Sequence, residues 1–184
     1  GECTPCGAGE YKPASGSASC SLCAEGTYSP TEGAASSDAC IPCPGGSSSI
    51  SGSSHVTSCT CVAGFFGADA EECAACPTGT YKPETGDGAC SSCPAHTLSA
   101  EGSIAQTNCS CVAGYTGPDG SACVACVAGL YKNASGSAEC TACGVDTYST
   151  TTAATSSATC ASCPANTLAA SGSNALTDCH CLAG

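Results

Sequence analysis

The sequence predicts a small disulfide-rich protein: an elongated tandem array of short β-hairpin loops, with little helix and no large hydrophobic core. Three observations predict it. Of 184 residues, 22 are Cys, a density at which a chain reads as a disulfide scaffold. Leu, Ile, Val and Phe together number only 17, roughly 9 % where chains that build a packed core carry at least ~20 %. The cysteines recur as doublets flanking loops that repeat in sequence.

The apolar deficit decides what the cysteines must do. At ~25 cal/mol per Å², so few large side chains cannot offset an ordering cost of ~1–2 kcal/mol per residue. With free thiols, this composition and a net charge of −12 describe a disordered chain. The cysteines therefore bond to each other or to zinc. Cys3, Cys6, Cys20 and Cys23 spell C-x2-C-x13-C-x2-C, a plausible four-thiolate site. Three basic residues against fifteen acidic ones weigh against zinc modules that serve nucleic acid, because phosphate binding is unfavourable. Three of the eleven doublets are C-x-C, tight for two ligands on one tetrahedral ion. The preferred reading is disulfides, with no metal and no cofactor, in an oxidising compartment outside the cell. No stretch approaches the ~18 apolar residues of a membrane span. Direct membrane insertion and nucleic acid are both unexpected for this acidic chain.

Four kinds of loop recur. The first holds 13 residues between cysteines and reads G-x-Y-K…G, at Cys6–Cys20, Cys76–Cys90 and Cys126–Cys140. The second holds 16 and reads x-T-Y-S…S-S, at Cys23–Cys40 and Cys143–Cys160. The third holds 15, is rich in Ser and Thr, and ends in C-x-C, at Cys43–Cys59, Cys93–Cys109 and Cys163–Cys179. The fourth holds 11 and reads V-A-G-[FY]-x-G, at Cys61–Cys73 and Cys111–Cys123. Three units follow: a full one at 1–72, a shortened one at 73–122 lacking a second loop, and a third at 123–184 cut in its fourth loop. A loop that can be dropped without disturbing its neighbours is a nearly independent tile of a quasi-one-dimensional array.

Short strands are expected at 10–12, 27–29, 80–82, 130–132 and 147–149, each paired with residues before the closing Cys. Gly16, Gly33 and Gly136 stand where such hairpins turn. Asp146 and Ala153 align with Gly26 and Gly33. Ala at the second place predicts that the second loop does not need φ > 0 there.

The C-x-x-G-T-Y…G…C-x-x-C stretches, as at Cys76–Cys93 and Cys23–Cys43, resemble the ephrin-receptor-like cysteine-rich repeat and the first half of tumour necrosis factor receptor modules. Cys59–Cys73 and Cys109–Cys123 resemble the end of an EGF domain. The whole alternation is similar to long extracellular proteins of algae and other protists, including those of flagellar hairs (mastigonemes). From EGF-like tails the resemblance implies Cys61–Cys73 and Cys111–Cys123. From receptor first loops it implies Cys6–Cys20, Cys76–Cys90 and Cys126–Cys140. The simplest extension adds Cys23–Cys40, Cys43–Cys59, Cys93–Cys109, Cys143–Cys160 and Cys163–Cys179. An interlaced scheme, first-to-first and second-to-second, is its rival. Under the sequential scheme Cys3 and Cys181 pair outside the segment, as in an internal window of a longer array.

Several side chains carry two readings. Lys12, Lys82 and Lys132 are the only basic residues and all follow the first-loop Tyr. They are either solvated strand residues whose stems cover the ring, or a row of cations for intersubunit contacts. Tyr11, Tyr28, Tyr81, Tyr115, Tyr131, Tyr148, Phe65 and Phe66 fit small cores against disulfides, or a stacking platform. His55, His96 and His180 occupy unrelated repeat positions and read as solvated. Asn133-Ala134-Ser135 and Asn108-Cys109-Ser110 are N-glycosylation sequons, the second poorer for its Cys. The runs 47–54 and 147–159 offer hydroxyls for O-glycans. No nucleophile–base pair or rigid carboxylate pocket is suggested, so no enzyme is expected. The near-copy loops favour a structural filament or flagellar appendage assembled from copies of the chain. The alternative is a receptor-like or adhesive ectodomain binding protein or carbohydrate.

Overall fold

The structure, a computed structural model, describes residues 4–181. Among these there is no α-helix. There are twenty two-residue strands and five single turns of 3-10 helix. The strands form ten separate two-stranded sheets, so the fold is a tandem of small hairpins stapled by ten disulfides.

The hairpins do not pair as the sequence predicts. Glu10–Tyr11 pairs with Ser21–Leu22, in the register Tyr11↔Ser21 and Glu10↔Leu22. Thr27–Tyr28 pairs with Ile41–Pro42, and Thr147–Tyr148 with Ala161–Ser162. The second strand thus lies after the closing Cys, inside the C-x2-C doublet. The disulfide explains this. It brings Cys20 within 5.8 Å of Cys6, Cα to Cα, at the base of the tile. The chain then climbs antiparallel to the first strand. In second and third loops, residues before the closing Cys are already committed to 3-10 turns, as at Ser37–Ala39 and Val56–Ser58. The third residue of each expected strand leaves the ladder, because its main chain bonds the following tile. Lys12 N–H donates to Ala34 (2.9 Å) and Ser29 N–H to Ser53 (3.0 Å).

The residue three places after each tile-opening Cys has positive φ in all ten tiles. Seven are Gly; the others are His96 (61°), Asp146 (62°) and Asn166 (63°). These are the residue types that best tolerate left-handed backbone. The conformation turns N–H and C=O of one residue to use between tiles. Gly26 N–H donates to Ser49 (2.9 Å), while its carbonyl accepts from Cys43 (2.9 Å). Asp146 does the same with Ala169 and Cys163, both at 2.9 Å. Ala153 also has positive φ, 52°, matching Gly33 at 67°. The expectation that the second loop escapes φ > 0 there is therefore wrong. Ala153 N–H must reach Cys126 O (2.8 Å), as Gly33 N–H reaches Cys6 O (2.8 Å).

Contacts divide the chain into two compact units. The first comprises residues 1–91 with 101–104. The second comprises residues 92–100 with 105–184. Among the described residues of each, the largest fully buried side chains are half-cystines and serine: Cys23, Cys59, Cys61, Cys76 and Ser29 in the first, Cys109, Cys111, Cys126, Cys143 and Ser149 in the second. Sulfur and hydroxyl thus occupy places that Leu and Ile hold in ordinary cores. Leu22, Ile41, Ile50 and Leu98 are exposed.

Candidate functional site

In seven of the ten tiles the sixth residue after the opening Cys is buried. Ser29, Ser49, Lys82, Ser99, Lys132, Ser149 and Ala169 stand there, all 7 % exposed or less. A small side chain suits a place where one tile lies on the next. First loops following a fourth loop put Lys there instead. Lys82 Nζ donates to the carbonyls of Phe65 (2.9 Å) and Gly86 (2.5 Å). Lys132 Nζ donates to the carbonyls of Tyr115 (2.8 Å) and Gly136. Each ammonium ties a fourth loop to the next first loop.

This corrects both readings of these lysines. Lys82 and Lys132 are 4 % exposed, hence neither solvated nor presented for intersubunit contacts. A buried ammonium must have its donors satisfied, and main-chain carbonyls do that here. Lys12 holds the same tile position but is only half-buried, with the Gly16 carbonyl as its acceptor.

The disulfides are Cys6–Cys20, Cys23–Cys40, Cys43–Cys59, Cys61–Cys73 and Cys76–Cys90, then Cys93–Cys109, Cys111–Cys123, Cys126–Cys140, Cys143–Cys160 and Cys163–Cys179. Cys181 is free and exposed; Cys3 lies outside the described residues. Cys6, Glu10 and Cys20 bring three ligand-type atoms within 4.8 Å of one another. Two of these are the sulfurs of one disulfide, which leaves no thiolate to hold zinc.

The aromatic rings are half-buried, with Phe66 exposed. His96, expected to be merely solvated, stacks on Tyr115 with ring centroids 4.1 Å apart and planes 13° from parallel. Its left-handed backbone and the Val112 N–H that its carbonyl accepts (3.1 Å) fix the ring over the next tile. The alignment of His96 with Gly46 and Asn166 was the available signal.

The hydroxyl runs are only partly free for sugar. Ser49 Oγ donates to Thr27 O (2.9 Å), Ser51 Oγ to Cys23 O (2.9 Å) and Ser53 Oγ to Ile50 O (2.7 Å). Thr150, Thr151 and Thr152 are exposed. Asn133, Ala134 and Ser135 are exposed in a loop without regular structure. Asn108 ends the 3-10 turn Gln106–Asn108, and its Oδ1 accepts from Ala105 N–H at 2.9 Å. The two residues after it are a buried disulfide Cys109 and strand residue Ser110.

No helix of the described residues is long and apolar enough to cross a membrane. Among curated proteins no match is found. A family profile described as tyrosine-protein kinase ephrin type A/B receptor-like matches residues 1–40, 64–111 and 114–160, more than half of the chain. Its cysteine-rich modules and the dense disulfides fit an extracellular, non-catalytic repeat region. The chain belongs to the tyrosine-protein kinase ephrin type A/B receptor-like family of cysteine-rich repeats.

Proposed function

We propose that the chain is a structural segment of an extracellular filament or cell-surface appendage, built from disulfide-stapled repeats and serving no catalytic role. The observation that carries this reading is a joint that recurs between tiles. At six joints, in full and shortened units alike, the left-handed residue donates its N–H to the sixth residue of the following tile and accepts from that tile's opening Cys; where a third loop meets a fourth loop, Gly46 O and His96 O instead accept from Val62 and Val112 N–H (3.0 and 3.1 Å). Examples are Gly9 N–H to Ser29 O (2.8 Å), Gly64 N–H to Lys82 O (2.8 Å) and Gly129 N–H to Ser149 O (2.8 Å). A joint that repeats through the array supports a role in spanning distance and bearing load.

Immuno-electron microscopy with antibody to this chain tests the reading. Regularly spaced label along an appendage is the expected result; label confined to the cell membrane overturns it. A second reading, a receptor-like or adhesive ectodomain, is favoured by exposed apolar side chains such as Ile50 at 80 % and Val145 at 67 %. Label on the membrane together with a bound protein ligand supports that reading.

A further inference from the structure

We propose that the groove beside Lys12 is a docking seat for a disulfide-closed loop of the V-A-G-[FY]-x-G type, presented by another cysteine-rich repeat. Two equivalent grooves inside the chain show how such a loop is held. At the first, Gly64 N–H donates to Lys82 O (2.8 Å) and Gly64 O accepts from Cys76 N–H (2.8 Å). Cys61 O accepts from Gly86 N–H (2.7 Å), and Phe65 O accepts from Lys82 Nζ (2.9 Å). At the second, Gly114 bonds Lys132 O (2.9 Å) and Cys126 N–H (2.8 Å), and Cys111 O takes Gly136 N–H (2.8 Å). Tyr115 O takes Lys132 Nζ there, at 2.8 Å.

The first tile offers the same four groups in the same places. Lys12 O, Gly16 N–H and Cys6 N–H have no hydrogen-bond partner among the described residues. Among the described residues the Lys12 ammonium holds the Gly16 carbonyl alone, where Lys82 and Lys132 each hold two. The far wall matches as well. A Cβ on Gly64 would lie 2.3 Å from Gly102 O, and one on Gly114 2.4 Å from Ala153 O. The incoming loop therefore needs Gly at that place. The counterpart of Gly102 and Ala153 is Gly33. It lines an open groove of about 760 Å³ together with Thr4, Cys6, Lys12, Gly16 and Ala34.

This binding site goes beyond the structural role above and does not depend on it. The test uses the full chain with a copy of residues 60–73 placed before Thr4 in exchange for residues 1–3. The copied loop then precedes Thr4 as the original precedes Ala74. Lysine acylation by a succinimidyl ester is followed by mass spectrometry, with Lys82 and Lys132 as protected references. Lys12 should react at least about tenfold more slowly in the grafted chain, as expected when opening of a closed contact limits access. A graft whose copied loop carries Gly64→Val should leave Lys12 reactive. Should the grafted disulfide fail to close, the oxidised peptide of residues 60–73 is added to the unaltered chain at millimolar concentration. NMR shifts at the Cys6, Lys12, Gly16 and Gly33 amides then support the site. A closed graft that leaves Lys12 reactive, or a peptide that moves none of these amides, overturns it.

Discussion

Lys132 Nζ donates to the carbonyl oxygen of Tyr115 at 2.8 Å, reaching back from one tile into the tile before it. The same ammonium also holds Gly136 O, so one side chain closes a first loop and anchors the preceding fourth loop. Lys132→Met keeps the apolar stem and removes the donor. It leaves two inward carbonyls short of a partner, at a local cost of about 1–3 kcal/mol. Native-state hydrogen exchange should show faster opening at Gly114 and Gly136. Lys12→Met, at a half-buried site, should change stability by less than about 0.5 kcal/mol. Equal effects of the two substitutions would contradict the assigned role.

The order of tiles was legible because cysteine spacing sets their lengths directly. Loops of 11, 13, 15 and 16 residues between cysteines divide the chain whatever the backbone does inside them. The lysines were harder to read. A Lys after a strand Tyr looks like surface in any single tile, and its acceptors, Phe65 O and Tyr115 O, are 17 residues upstream. Main-chain carbonyls leave no signature in side-chain sequence. Strand partners were missed for a similar reason: the disulfide, not a turn motif, brings Ser21–Leu22 to Glu10–Tyr11.

Ala153 is held at φ 52°, where an L side chain costs about 1–2 kcal/mol. Ala153→Gly removes that strain but adds roughly 0.4–1 kcal/mol of chain entropy to the unfolded state. The net expectation is a second loop stabilised by about 0.5–1 kcal/mol. Hydrogen exchange at the Ala153 amide, which bonds Cys126 O at 2.8 Å, reads it out. A clear loss of protection would show that the left-handed geometry is not a strain on this residue.

Reduction should abolish the fold. Among the described residues, eight of the ten largest fully buried side chains are disulfide-bonded cysteines, and the other two are Ser29 and Ser149. Each closed loop of ~15 residues contributes roughly 3 kcal/mol in the chain-entropy model, and no apolar core stands behind it. Circular dichroism and limited proteolysis with and without reductant measure this. Native-like spectra and protease resistance after complete reduction would refute it.

Glycan is expected at Asn133 and far less at Asn108. Asn133 and the two residues after it are exposed and outside any ladder. Asn108 has its side-chain oxygen engaged by Ala105 N–H (2.9 Å) and is followed by a buried half-cystine. Closure of Cys93–Cys109 therefore removes the extended, accessible chain that a transferase needs. Intact-glycopeptide mass spectrometry of the secreted protein gives both occupancies. A higher value at Asn108 would contradict the argument.

The last expectation concerns Cys181. It stands in the tile position of Cys61 and Cys111, which are 0 % exposed and bonded to Cys73 and Cys123. Cys181 is instead exposed and free, while the other twenty described cysteines are closed in ten bonds. Alkylation of the folded 184-residue segment without reductant should therefore mark Cys181 and none of those twenty. Under oxidising conditions an exposed thiol exchanges or couples readily, so disulfide-linked oligomers that run through Cys181 should form and vanish in Cys181→Ser. Peptide mapping of the monomer should return the ten bonds of the structure. Finding Cys181 bonded to one of those twenty within the same chain would overturn the sequential pairing, since one tile would then have to give up its own closure.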